Sequence, residues 1–111
     1  EYYLNRGLVY EKLKQTSLAY QDYTKALVLR EDFAMAWLNR GNVLLSLRKY
    51  TEAIQDYTAA IAYAPDYAAA YYNRGLAYYQ IKNNLSACSD LQIAKRLGKT
   101  VPAELFKKVC L

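Results

Sequence analysis

Apolar residues recur along this chain at intervals of three and four. Leu38, Asn42 and Leu45 stand at i, i+4 and i+7 and share one helix face, while Trp37, Gly41 and Leu44 share the next. A helix apolar on two sides needs two neighbours. The same patterning, punctuated by Pro65 after one run and Asp66 before another, predicts helices near 1–13, 17–30, 34–47, 51–64, 68–81 and 85–97. An all-α fold built from packed helical hairpins is the expectation.

The pattern is also periodic. Asn5-Arg6-Gly7 recurs as Asn39-Arg40-Gly41 and as Asn73-Arg74-Gly75, thirty-four residues apart each time. On that period Ala19, Ala53 and Ala87 form one column and Ala26, Ala60 and Ala94 another. Tyr23 and Tyr57 share a third, where the last unit has Leu91. Tyr3, Trp37 and Tyr71 precede the glycines; Tyr10, Leu44 and Tyr78 follow them. A fixed period of this size marks stacked helical units more readily than a catalytic motif. Small residues in columns let backbones approach, and the aromatics around them fill the remaining volume.

These residues resemble the tetratricopeptide repeat, whose pattern runs aromatic, Gly, Tyr, Ala, aromatic, Ala, Pro at this spacing. Residues 34–67 match best, with Trp37, Gly41, Ala53, Tyr57, Ala60 and Pro65 in place. The first unit has Glu31 where the proline would fall. The third has Lys99 there and carries a Cys-Ser-Asp-Leu segment, and outer units are often less typical. The resemblance implies a right-handed α-solenoid of three hairpins, at 1–33, 34–67 and 68–101, followed by a capping helix at 102–111. The Tyr-Tyr-Asn-Arg-Gly-Leu-Ala style and the Ala-Cys-Ser-Asp-Leu ending are similar to bacterial members.

Arg6, Arg40 and Arg74 stand where the family usually has an apolar residue, and each is followed sixteen residues later by Asp22, Asp56 or Asp90. In an antiparallel hairpin turning midway between them, the two positions lie side by side. Intra-repeat ion pairs are therefore expected, each worth about 0–1 kcal/mol if exposed. An arginine ladder for phosphates is the weaker alternative, because an aspartate accompanies every arginine.

The resemblance implies that the first helices line a concave face where partners bind. The inward residues would be Leu4, Asn5 and Leu8, then Met35, Leu38, Asn39, Asn42 and Leu45, then Tyr72, Asn73, Leu76, Tyr79 and Gln80. An asparagine column at 5, 39 and 73 could bond successive peptide groups of an extended ligand, since each amide offers one acceptor and two donors. Alternatively these asparagines bond their own helices or water. One subset of the family grips the C-terminal carboxylate of chaperones with lysine, asparagine and arginine. Leu4, Leu8, Ala69 and Asn73 occupy four of its five places and only Asn39 agrees, so a chaperone-tail clamp is not expected.

Pro102 and Gly98 suit the start of one helix and the end of another, making Ala103 to Leu111 a cap through Leu105, Phe106 and Val109. Antiparallel packing of this run on residues 85–97 brings Cys88 opposite Cys110. A disulfide in an oxidising compartment and a pair of packed reduced thiols both fit. Localisation stays open with them: cytoplasmic, or periplasmic or secreted if the cysteines are bonded.

Composition then narrows the function classes. The 15 Lys and Arg exceed the 10 Asp and Glu, but the surplus is concentrated at Lys95, Arg96, Lys99, Lys107 and Lys108, against Glu104 alone. No basic stripe continues elsewhere, so nucleic-acid binding is not expected. The chain lacks histidine, and two cysteines cannot hold zinc alone. No metal, no cofactor and no catalytic residue is expected, and no long uncharged apolar run suggests membrane insertion. The chain opens inside a helix without an initiator Met and reads as an excised fragment. The expected function is a non-enzymatic adaptor that binds a protein or peptide ligand through apolar and asparagine contacts. The alternative is a spacer or self-assembly segment of a larger multi-repeat protein, associating through Tyr2, Tyr3 and Tyr10 of the first helix.

Overall fold

A computed structural model describes residues 1–110; Leu111, assigned above to the cap, lies outside the described residues. Among the described residues there are seven helices and no strand: α1 (Tyr2–Lys12), α2 (Thr16–Leu29), α3 (Ala34–Ser46), α4 (Tyr50–Tyr63), α5 (Ala68–Gln80), α6 (Asn84–Arg96) and α7 (Ala103–Cys110). They pack as three successive hairpins with α7 against α6, an elongated solenoid of 42 × 25 × 21 Å.

Each helix matches its expected span to within one residue, and the second helices start one residue earlier than expected. The turn chemistry accounts for this. Lys14, Arg48 and Lys82 adopt left-handed backbones, with φ of 59°, 62° and 64°. Their N–H groups donate to the carbonyls of Glu11, Leu45 and Tyr79 at 2.9–3.0 Å. The next N–H groups, of Gln15, Lys49 and Asn83, donate to Tyr10, Leu44 and Tyr78 at 2.8–2.9 Å. This double closure satisfies the final carbonyls of each first helix and leaves only three residues between the partners. The conformation favours glycine, yet a basic residue holds all three places. The cationic side chain there lies at the negative end of the helix dipole, which offsets part of the steric cost.

The core is distributed along the stack. One cluster is built on Leu4, Ala19, Tyr23, Ala36 and Val43, the next on Leu38, Leu44, Ala53, Tyr57 and Ala70, and the last on Ala87, Leu91 and Val109. Each cluster draws on adjacent elements, so no hairpin buries its apolar surface alone. The glycine column has a specific partner: a Cβ on Gly7 would meet the Tyr23 ring at 2.6 Å, and one on Gly41 the Tyr57 ring at 2.7 Å. The second helix thus lays its tyrosine directly on the backbone of the first. At the C-terminal end Val109 is buried, and Cys88 is disulfide-bonded to Cys110 with a Cα separation of 5.1 Å.

Burial of those tyrosines has a pH consequence. Loss of solvent pushes the Tyr23 phenol above the ordinary tyrosine range, and its hydrogen bond to Glu11 adds to the shift. Burial does the same for Tyr57, with further help from the Asp56 charge. In the unfolded chain both ionise near pH 10. Their contribution to stability is therefore complete below about pH 10 and lost progressively as pH rises toward the folded values. Urea midpoints measured from pH 8 to 11.5 should fall steeply above pH 10, and Tyr57→Phe should shallow that limb. A midpoint unchanged to pH 11.5 would show that neither phenol is held neutral by the fold.

Candidate functional site

Each arginine forks onto the aspartate opposite it. Arg6 Nε and Nη2 donate to Asp22 at 2.7 and 2.9 Å, Arg40 to Asp56 at 2.8 and 2.9 Å, and Arg74 to Asp90 at 2.7 and 2.8 Å. The aspartates are buried, so these are not the exposed pairs whose small worth was anticipated from sequence. The third arginine nitrogen reaches across hairpins: Arg40 Nη1 donates to Thr24 Oγ1 at 3.3 Å and Arg74 Nη1 to Thr58 Oγ1 at 3.2 Å. The Arg40 guanidinium also stacks over Tyr20 and Trp37, at 5.4 and 5.1 Å from the ring centroids. The hydrogen bonds that Arg40 and Arg74 donate to their carboxylates raise the two guanidinium pKa values against the opposing effect of burial. The Arg6 guanidinium, in turn, lowers that of Asp22. With all three forks closed on carboxylates, the arginines are not displayed for phosphates.

The expected ligand face divides into three groups by burial. Leu4 and Leu38 are buried in the clusters beneath it, which removes them as ligand contacts. Their positions point between the paired helices rather than outward. Asn5, Leu8, Met35 and Gln80 are exposed, while Asn39, Asn42, Leu45, Tyr72, Asn73, Leu76 and Tyr79 are half-buried.

The asparagines are not equivalent. Asn42 Oδ1 accepts from the Tyr57 hydroxyl at 2.6 Å and from Asn73 Nδ2 at 2.8 Å. Asn73 thereby spends one donor inside the protein, clamping α5 to α3. The same 31-residue step from Asn39 leads back to Leu8, which offers no acceptor. Among the described residues the Asn39 amide has no side-chain partner. The uniform column expected at 5, 39 and 73 is thus broken at 73 by a neighbour, Asn42, that occurs in the middle unit alone.

A family model described as Tetratricopeptide repeat matches residues 1–33, and one described as TPR repeat matches residues 41–82. The chain belongs to the tetratricopeptide repeat (TPR) family. Among solved structures it is similar to the first TPR of Spaghetti (RPAP3), bound to an HSP90 peptide. That match has TM-score 0.91 at 23% identity, covering 97% of this chain and 87% of that one. The Arabidopsis OM64 TPR domain aligns with TM-score 0.91 at 27% identity, covering 96% and 90%. The second TPR domain of human RPAP3, in complex with an HSP70 peptide, aligns with TM-score 0.88 at 26% identity, covering 96% and 91%. No curated protein matched the sequence.

Within this TPR array two features of the face escaped sequence reasoning. Lys99, in the loop after α6, brings its ammonium to 5.0 Å from the Tyr72 ring centroid and so sets a cation at the third-repeat end of the face. The other feature is the Tyr57, Asn42 and Asn73 network. A signal for it was present, since Asn42 is the one amide in a column otherwise held by Leu8 and Leu76. The Lys99 contact had no such signal, because it depends on the path of a loop.

Proposed function

We propose that this TPR array, organised as repeats 1–33, 34–67 and 68–101 with a cap at 102–111, is a protein-interaction adaptor. Its first-helix face takes a peptide segment of a partner and acts by binding, without catalysis. One observation carries the reading. Asn39 stands on a largely apolar face, with Met35 exposed one turn before it and Leu8 exposed on the adjacent helix, and its amide has no side-chain partner among the described residues. Such an amide can bond a ligand's peptide group while Leu8, Met35, Tyr72 and Leu76 supply apolar contact, which provides most of the affinity. Similar TPR domains bind peptides: the second TPR of human RPAP3 is solved with SGPTIEEVD, and the second TPR of Spaghetti with SRMEEVD. Here the ligand is read by apolar side chains and backbone, since Leu4, Leu8, Ala69 and Asn73 cannot supply the charges that a C-terminal carboxylate clamp would need.

The test is a peptide selected from a displayed random library and titrated into the chain alongside SRMEEVD. The selected peptide should be apolar and should bind more tightly than SRMEEVD. Asn39→Ala should weaken it about five- to ten-fold, the worth of one hydrogen bond of about 1 kcal/mol. Val28→Lys, on the exposed end of α2, should leave binding unchanged. Equal affinity for SRMEEVD, or indifference to Asn39→Ala, would sink the proposal. The spacer or self-assembly reading draws on a different surface, the outer side of α1, where Tyr2 and Val9 are exposed.

A further inference from the structure

Between the first and second hairpins, at the edge formed by the α1–α2 and α3–α4 turns, lies a cavity of about 440 Å³, within the range of roughly 300–1,000 Å³ common for ligand pockets. Tyr20, Leu44 and Leu47 form its apolar part, and Thr16, Ser17 and Lys49 border it. It shares no residue with the first-helix face described above.

The junction one step along the stack shows what is missing. Thirty-four residues on, Thr16 and Leu44 become Tyr50 and Tyr78, while Tyr20 becomes Ile54 and Leu47 becomes Ile81. The second junction therefore brings two half-buried aromatic rings to positions where the first brings one. That one is already engaged: Tyr20 packs against both adjoining core clusters and lies under the Arg40 guanidinium, 5.4 Å from its ring centroid. Helix α2 opens with a threonine where α4 opens with a tyrosine, and the space of about one ring stays open. The edge is also charged. Lys12, Lys14, Arg48 and Lys49 are exposed in or beside the two turns, against the exposed Glu52, and the nearby Glu11 is engaged by the Tyr23 hydroxyl.

We propose that this cavity is a second interaction site, which takes one aromatic side chain from an acidic segment of a partner protein. A ring seated on Leu44 and Leu47 removes apolar surface from water and reaches the edge or face of Tyr20. Carboxylates on either side of it meet the lysines and arginine of the two turns, which speeds encounter and selects the segment by charge. A small aliphatic side chain would leave part of the cavity empty, and an uncharged segment would forgo the cations.

The probe is a blocked peptide, Asp-Glu-Asp-Tyr-Asp-Glu-Asp, titrated into the chain and followed by amide NMR. Shifts should concentrate at Tyr20, Leu44 and Leu47. Replacing the peptide's tyrosine by alanine should weaken binding about ten-fold or more, and replacing its acids by their amides about five-fold. Thr16→Tyr supplies the ring from within, as Tyr50 does at the next junction. It should raise the thermal midpoint by about 2–5 °C and abolish binding. Leu47→Gln, at a position 49% exposed, should leave the midpoint nearly unchanged and weaken binding several-fold. Equal binding by either control peptide, binding that survives Thr16→Tyr or ignores Leu47→Gln, or a midpoint lowered by Thr16→Tyr would overturn the proposal. A dimer in sedimentation that is lost on Thr16→Tyr would also overturn it, by making a second copy the occupant. Asn39→Ala should not change the affinity for this peptide, so failure here and failure of the adaptor reading are told apart.

Discussion

Arg40→Ala is expected to destabilise the fold by about 2–3 kcal/mol, somewhat below the roughly 3–5 kcal/mol typical of breaking a fully buried pair. Asp56 is 4% exposed, and its carboxylate takes both of its charged donors from this one guanidinium. Among the described residues no buried side-chain nitrogen or oxygen lacks a partner; truncating Arg40 would break that condition. It would also remove the bridge to Thr24 and the planar group packed over Tyr20 and Trp37. Because the Arg40 side chain keeps partial solvent contact, water can reach the orphaned carboxylate and soften the loss. Urea unfolding of Arg40→Ala, Asp56→Ala and the double variant decides the matter. The double variant should cost clearly less than the sum of the singles, since removing both partners leaves no buried charge. Arg6→Ala should cost less than Arg40→Ala, given its greater exposure and its lack of a cross-hairpin threonine. A loss below about 0.5 kcal/mol for Arg40→Ala would place these forks with ordinary surface pairs.

Gly41→Ala and Gly75→Ala should separate, although the two glycines share a column and a sequence context. In mid-helix, replacing glycine by alanine gains about 1 kcal/mol of helix propensity. At position 41 the new methyl would lie 2.7 and 2.9 Å from two ring carbons of Tyr57. That ring is fully buried, and its hydroxyl is held by Asn42, so it cannot tilt away without breaking the network to Asn73. The overpacking cost of about 1–3 kcal/mol should exceed the helix gain and leave a net loss of about 1–2 kcal/mol. At position 75 the nearest atoms are Leu91 Cδ2 and Cγ, at 3.1 and 3.2 Å. A leucine can yield by a few tenths of an ångström, and the net change should lie near zero. Chemical denaturation of the two variants reads the difference directly. Equal losses at both positions would mean that the column is read by backbone approach alone and not by the residue opposite.

The contrast between Tyr57 and Leu91 shows where sequence reading stops. That small-residue columns recur with aromatics around them was legible, because the 34-residue period aligns both; that Tyr23 and Tyr57 lie on the glycines themselves came from the packing. How tightly each glycine is held was not legible either, since it depends on a few tenths of an ångström between two helices. The ion pairs behaved alike. Sixteen-residue spacing put Arg40 beside Asp56, whereas burial of the aspartate, the third bond to Thr24 and the stacking on Tyr20 all come from the neighbouring hairpin. Leu4 and Leu38 were read as facing a ligand because helix periodicity fixes an angle around the axis; it does not tell how deeply the adjoining helix covers that angle.

What the sequence determined by itself was the repeating unit. Local patterning sets each helix and period sets each hairpin, because in a solenoid the interactions that define a unit lie within it or one step away. What only the tertiary structure decided was which polar groups are spent internally and which remain free. Asn73 and Asn39 have the same local sequence, Asn-Arg-Gly, yet one is bonded across the stack to Asn42 and the other has no side-chain partner among the described residues. Arg6 and Arg40 likewise share a motif, but Arg40 reaches Thr24 of the preceding hairpin, whereas Arg6 turns its third nitrogen to Tyr2 of its own helix. These differences arise because a hydrogen bond requires a partner within about 3 Å, and that partner stands on the next unit of the stack, at positions the repeating motif does not specify.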